Sequence, residues 1–111
     1  MKLKELVKDL ELDVLVGKDL LNRDVTGGYA GDLLSDVLTN SEGGNVWVTM
    51  QIHINILAVA STKGLAAIII ANGRKPQSET LKKAEDKNIP ILVSPSSTFI
   101  IVGRLYELGL R

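Results

Sequence analysis

The sequence contains no cysteine, which excludes disulfide bonds, thiol catalysis and zinc sites built on cysteine. It has one histidine, so no histidine cluster can bind a metal ion. It has no run of about 18 apolar residues, so we expect no membrane-spanning segment. The N-terminal residues lack the apolar core of a signal peptide. Lys+Arg and Asp+Glu are equal at 13 each, which argues against general attraction to nucleic acid or anionic membranes. We therefore expect a cytoplasmic protein.

The remaining composition favours one globular domain that spans residues 1–111. The chain is 45% hydrophobic, and a chain of this length can bury one core. Apolar runs typical of strands alternate with helical patterns and short connections, which predicts an α/β fold: a single three-layer domain with a mainly parallel sheet flanked by helices. The predicted strands are 12–16, 45–50, 65–70 and 89–93, with a further edge strand possible at 23–25. The predicted helices are 3–10, 31–39, 53–63, 78–87 and a last one after residue 98.

Two of these segments carry specific expectations. Residues 46–56 alternate between apolar and polar side chains, which fits one long strand or a strand followed by a helix. The usual length of strands and a possible C-terminal cap at Gly64 favour the second interpretation. The last helix carries an apolar set that we expect to be buried on one side, namely Phe99, Ile100, Val102, Gly103, Tyr106 and Leu108.

A glycine-rich segment, Asp24-Val25-Thr26-Gly27-Gly28, is predicted to be a loop that leads into the second helix. It resembles the signature of the DRTGG domain family, with Val25 where that signature has arginine. The resemblance runs from about residue 14 to the C-terminus, through segments 43–49, 70–73 and 89–93. It implies a three-layer α/β fold similar to the N-terminal domain of HPr kinase/phosphorylase. The family has no established chemistry.

The resemblance also implies a role in regulation. DRTGG domains occur between CBS domains in some family II inorganic pyrophosphatases and beside phosphotransacetylase-like regions. We therefore expect a non-catalytic, homodimeric regulatory or binding module with no cofactor, whose effector and regulated protein are separate molecules. A dimer has a physical motive as well, because a small sheet leaves edges and apolar faces that need cover.

A candidate anion site lies where the carboxyl ends of the strands should meet, and we expect three loops there, the first being the turn after Val16. One loop there, Asn72-Gly73-Arg74-Lys75, pairs flexible backbone with two cations. Another offers hydroxyl groups and free helix N–H groups at Ser96, Ser97 and Thr98. Together these loops could hold a small phosphorylated ligand. The alternative is a set of ordinary helix caps and a solvated turn.

The signature segment and its surroundings have two possible roles. Its residues could shape a pocket, or they could form a structural turn or a dimer contact, and we favour the latter because Asx and Thr turns need no ligand. The residues concerned are Arg23, Asp24, Thr26, Gly27 and Gly28, with Trp47. Trp47 could lie either in the core or at a subunit interface. His53 could be a lone acid or base, or simply a polar residue at the start of a helix.

Several catalytic signatures are missing. The sequence has no P-loop, no G-x-G-x-x-G dinucleotide motif, no G-x-S-x-G nucleophile elbow and no H-E-x-x-H zinc motif. Three hypotheses remain: a homodimeric regulatory module, a nucleotide- or phosphate-responsive sensor, and a small phosphotransfer enzyme that would depend on carboxylates, hydroxyls and His53.

Overall fold

The computed structural model describes residues 1–111 and contains five helices and five strands. In chain order the elements are α1 Leu3–Asp9, β1 Asp13–Val16, β2 Gly27–Ala30, α2 Leu34–Asn40, β3 Asn45–Thr49, α3 Asn55–Lys63, β4 Ala67–Ile70, α4 Ser78–Lys87, β5 Ile91–Val93 and α5 Thr98–Glu107. None of the helices combines the length and apolar character needed to cross a membrane.

The five strands form one sheet in the order β1-β5-β4-β3-β2. Strands β2, β3, β4 and β5 pair in parallel, and β1 joins β5 antiparallel at the far edge. Short right-handed crossovers are the expected way to connect such parallel strands, and here the connections carry helices. The α/β class and the mainly parallel sheet predicted from the sequence are confirmed.

Each face of the sheet is covered by a separate apolar core. Residues that alternate along a strand point to opposite faces, so Val46, Val48 and Ile69 face one layer while Trp47 and Ile68 face the other. The first core is completed by α1 and α5, and the second by α2, α3 and α4. This arrangement is the three-layer architecture that buries apolar strands on both sides.

The structure decides the ambiguous segment after residue 45 and corrects the position of the second strand. Strand β3 ends at Thr49 and helix α3 begins at Asn55, as the favoured interpretation had it. The predicted edge strand at 23–25 was wrong: the edge strand is β2, and it includes both glycines that were assigned to a loop. The residues 23–25 contribute one isolated bridge, between Asp24 and Lys2.

The last helix also departs from expectation. Its buried residues are Ile101 and Leu105, whereas Phe99 is 84% exposed and Tyr106 is 58% exposed. The prediction that the set including Phe99, Ile100, Val102 and Tyr106 is buried was therefore wrong. Helix periodicity identifies an apolar face but does not say what covers it.

Candidate functional site

The beginning of the signature segment is held by contacts within the chain. The guanidinium of Arg23 donates to the carbonyl oxygen of Asn88 at 2.7 Å and to that of Ala66 at 3.5 Å. Asp24 forms an ion pair with Lys2, 2.9 Å from Oδ1 to Nζ. The hydrogen bond and charge of Lys2 lower the pKa of the Asp24 carboxyl. Arg23 and Asp24 therefore attach this segment to the sheet and to the N-terminus.

The rest of the signature is close-packed backbone. Thr26 Oγ1 donates to the carbonyl oxygen of Gly43 at 3.0 Å, and the Thr26 amide donates to Gly44. A Cβ on Gly27 would lie 2.7 Å from the carbonyl oxygen of Arg111, which explains why a glycine is needed there. Gly28 is less confined, with only Val46 atoms at 3.7 Å. These residues form a structural junction, and Gly28 alone opens onto the sheet edge.

Trp47 lies in the core, one of the two alternatives left open by the sequence. Its side chain is 0% exposed, within the core formed by α2, α3 and α4. Its indole Nε1 donates to the carbonyl oxygen of Gly31 at 2.8 Å, which satisfies the one polar atom of the ring. Its side chain therefore offers no surface to a partner in this fold.

A hydrogen-bonded cluster connects the edge strand to α2. The phenol of Tyr29 donates to Asp36 Oδ2 at 2.7 Å, and the amide of Asn40 donates to Asp36 Oδ1 at 2.9 Å. These two donors lower the pKa of Asp36, Tyr29 contributing most, and the same bond to Asp36 raises the pKa of the Tyr29 phenol. The cluster fixes the position of the tyrosine ring along the edge of the sheet.

Two of the three loops expected at the carboxyl edge meet there, but their backbones bind each other. The third expectation was wrong: the turn after Val16 lies at the opposite edge, because β1 pairs antiparallel with β5. The amides of Asn72 and Gly73 donate to the carbonyl oxygens of Ser96 and Ser94, both at 2.8 Å. Asn72 extends its side-chain amide to Met50 Sδ at 3.0 Å. These N–H groups are therefore not available to a ligand.

Of the two cations in the predicted site, Arg74 forms a hydrogen bond within the chain, whereas Lys75 forms no ion pair. Arg74 Nη1 donates to the carbonyl oxygen of Met50 at 2.7 Å. Lys75 is exposed and makes no ion pair within the chain. Both lie beside a cleft of about 440 Å³ whose walls come from β1, β5, α4 and the two loops. Its lining residues are Asp13, Leu15, Gly73, Arg74, Lys75, Pro76, Leu81, Val93, Ser94 and Pro95.

The structure thus brings Gly73, Arg74 and Lys75 together, but it does not add Ser96, Ser97 and Thr98 to the cleft. Ser97 Oγ instead accepts from the amide of Ile100 at 3.3 Å and caps α5. The apolar wall made by Leu15, Leu81 and Val93 was missed. Finding it required the strand order, because β1 reaches this edge only by pairing antiparallel with β5.

His53 lies two residues before the start of α3, with an exposed side chain that makes no hydrogen bond within the chain. This position agrees with the interpretation of a polar residue at the start of a helix. No group of three or more histidine, aspartate or glutamate side chains is placed so that it could hold a metal ion. His53 therefore belongs to no hydrogen-bonded pair and to no cluster of metal-binding side chains.

A second exposed region, unlike the cleft, is mostly apolar, with one cation at its border: the guanidinium of Arg111 lies 3.8 Å from the centre of the Tyr106 ring. Phe99, Ile100, Val102 and Tyr106 on α5 are all among the exposed large hydrophobic side chains. A recess of about 240 Å³ adjoins them, between α5 and the outer edge of β2. Gly28, Tyr29 and Ala30 form its strand side. We call the four exposed α5 residues together with Gly103 the α5 face.

The fold places the chain among three-layer α/β domains with a mainly parallel five-stranded sheet. The family model described as the DRTGG domain matches residues 5–108. The chain therefore belongs to the DRTGG domain family, as the signature segment predicted. A search of curated proteins finds no match.

A solved structure has the same fold. It contains the CBS and DRTGG domains of the regulatory region of Clostridium perfringens pyrophosphatase, in complex with the activator diadenosine tetraphosphate. The TM-score is 0.68 at 15% sequence identity, over 94% of this chain and 47% of that one. The chain thus spans about half the length of this structural relative, and at this identity the likeness concerns the fold.

Proposed function

We propose that the protein is a non-catalytic regulatory module that acts as a homodimer. The observation that carries this proposal is the α5 face, which gathers four of the nine exposed large hydrophobic side chains on one short helix. Large exposed apolar patches mark interaction sites in soluble proteins. Family membership and the regulatory region of the pyrophosphatase relative support the regulatory role.

The absence of catalysis in this proposal is supported by how the polar side chains are used. Arg23, Asp24 and Thr26 bind partners within the chain. His53 has no polar side chain bound to it, and general acid–base catalysis requires the proton-transferring groups to lie within hydrogen-bond reach. The signature therefore serves the architecture, and the exposed surfaces serve binding.

The first prediction concerns the molecular mass of the protein in solution. We expect the purified protein to have twice the mass of one chain at micromolar concentration, because a two-fold contact is the commonest way to cover such a surface. Size-exclusion chromatography with light scattering measures this directly. A single-chain mass over the whole concentration range would overturn the homodimer.

A second candidate function is the binding of a nucleotide or another phosphorylated ligand in the cleft beside Lys75. The specific observation is that two cations border a recess with apolar walls, a combination suited to an anion with an apolar body. The diadenosine tetraphosphate in the pyrophosphatase relative makes adenine nucleotides the first compounds to test.

The second prediction tests this cleft. We expect adenine nucleotides at millimolar concentration to raise the melting temperature, because a ligand that binds only the folded state stabilises it. Lys75→Ala is expected to weaken that binding about tenfold or more through loss of a charged hydrogen bond. The matched control is Lys82→Ala, an exposed lysine on α4 outside the cleft. No shift with a panel of adenine and guanine nucleotides would rule out the sensor function.

A further inference from the structure

Gly103 lies at the centre of the α5 face, and the chain itself gives no reason for a glycine there. Helix α5 runs from Thr98 to Glu107, so Gly103 is in its interior. A glycine at such a position costs about 1 kcal/mol of stability relative to alanine. Nothing in the chain lies within 4 Å of the place where its Cβ would be. A close approach by another molecule would account for the missing side chain.

The residues around Gly103 are spaced as a contact surface for a helix. Phe99, Val102, Gly103 and Tyr106 follow the i, i+3, i+4, i+7 pattern of one helix face. The buried residues Ile101 and Leu105 point the opposite way, into the core beneath the sheet. The result is a ridge of aromatic residues on either side of a gap at Gly103.

We infer that α5 of a second copy of this chain packs antiparallel across this face and crosses it at Gly103. The inference rests on the proposed homodimer and specifies its interface. A two-fold axis at Gly103 places Phe99, four positions before the axis, level with Glu107 of the other copy and one position from its Tyr106. Each Phe99 then meets the partner's Tyr106, and an aromatic pair of this kind adds to the burial of apolar area.

The charges on α5 favour the antiparallel orientation over the parallel one. Glu107 is exposed near the C-terminal end and forms no ion pair within the chain. In the antiparallel pair it lies beside the first turn of the partner helix, where free N–H groups carry partial positive charge. In a parallel pair Glu107 would lie beside the other Glu107, and the two helix dipoles would repel each other. The occupant that complements this surface in charge and in shape is therefore a second α5.

One competing interface is the outer edge of β2, which is hydrogen-bonded on one side only. That strand has four residues, two of them glycine. Short edge strands are poor templates for pairing, and glycine weakens a strand further. We therefore place the interface on α5, with β2 at its border through the recess lined by Tyr29 and Tyr106.

The third prediction is a disulfide cross-link between two copies of the chain. The chain contains no cysteine of its own, so only an introduced cysteine can form this bond. In Gly103→Cys the two sulfur atoms would lie at the axis, where Cα atoms about 4.4–6.8 Å apart can be joined by a disulfide. We expect mild oxidation to convert most of the protein into a covalent dimer on non-reducing gels. The control is Lys82→Cys, on α4 and on the other side of the sheet, which should remain monomeric on the same gels.

A substitution at the end of the α5 face gives an independent test of the same interface. Phe99→Glu places a carboxylate beside the partner's Glu107, so we expect its dissociation constant to rise about 30-fold or more. Phe99 is exposed, so circular dichroism should show an unchanged fold, and Lys82→Glu is the matched control. A wild-type monomer would overturn the homodimer and this interface together. A wild-type dimer that neither cross-links at position 103 nor dissociates in Phe99→Glu would overturn the interface alone.

Discussion

Replacing Trp47 with alanine is expected to lower the free energy of unfolding by about 3–5 kcal/mol, the usual cost of removing a buried tryptophan. The indole is fully buried among residues of α2 and α3, including Val37 and Ile56, so the substitution leaves a large cavity. It also leaves the carbonyl oxygen of Gly31 without its donor. Small domains are stable by only about 5–15 kcal/mol, so this variant would be close to unfolding.

Urea denaturation followed by far-ultraviolet circular dichroism measures this loss without depending on tryptophan fluorescence. Trp47→Phe is the graded control: it keeps an aromatic ring but removes the 2.8 Å hydrogen bond, and we expect a loss of about 1–3 kcal/mol. If the alanine variant were as stable as the wild type, the placement of Trp47 in the core would be refuted.

Gly44→Ala is expected to destabilise the domain by about 2–5 kcal/mol, for two separate reasons. Gly44 has a φ of +84°, which costs an alanine about 1–2 kcal/mol. A Cβ there would also lie 2.6 Å from Thr26 Oγ1 and 2.8 Å from Thr26 Cγ2, so the threonine side chain must move. Such overpacking adds a further loss of stability of about 1–3 kcal/mol. Equilibrium denaturation of the variant and the wild type gives the difference.

The neighbouring glycine supplies a matched control for this variant. A Cβ on Gly43 would meet only the carbonyl oxygen of Lys63 at 3.4 Å, and Gly43 is not among the glycines with positive φ. Gly43→Ala should therefore remain within about 0.5 kcal/mol of the wild type. Adding Thr26→Ala to Gly44→Ala should recover the steric part of the loss and leave the conformational part, together with the loss of the hydrogen bond from Thr26 Oγ1 to Gly43. Equal losses of stability in Gly43→Ala and Gly44→Ala would contradict this explanation.

The order of strands and helices could be predicted because it depends on local patterns. Apolar runs such as residues 67–70 identify a strand buried on both faces wherever it lies in the sheet. The edge strand β2 could not be found in this way. Gly27 and Gly28 are typical of turns, and they form a strand only because β3 supplies hydrogen-bonding partners along one side. That pairing is a tertiary interaction, absent from any local window of the sequence.

The candidate sites also combine features that local sequence patterns predict with features that depend on the tertiary fold. The loops that carry Arg74 and Lys75 could be assigned to the carboxyl edge of the sheet, because parallel strands bring their ends together. Their neighbours across the cleft, Asp13 and Leu15, belong to an antiparallel strand whose place depends on the strand order. On α5 the apolar pattern was visible, but exposure depends on how many layers cover a helix. Phe99 could therefore not be distinguished from Ile101 before the fold was known.

The signature segment also brings the two ends of the chain together. The amide of Val25 donates to the carbonyl oxygen of Met1, and the carbonyl of Arg111 packs against Gly27, two residues further on. A domain whose first and last residues converge can be placed within a loop of a host protein without forcing the two sides of that loop apart. Val25 and Gly27 of the signature segment keep these two ends next to each other.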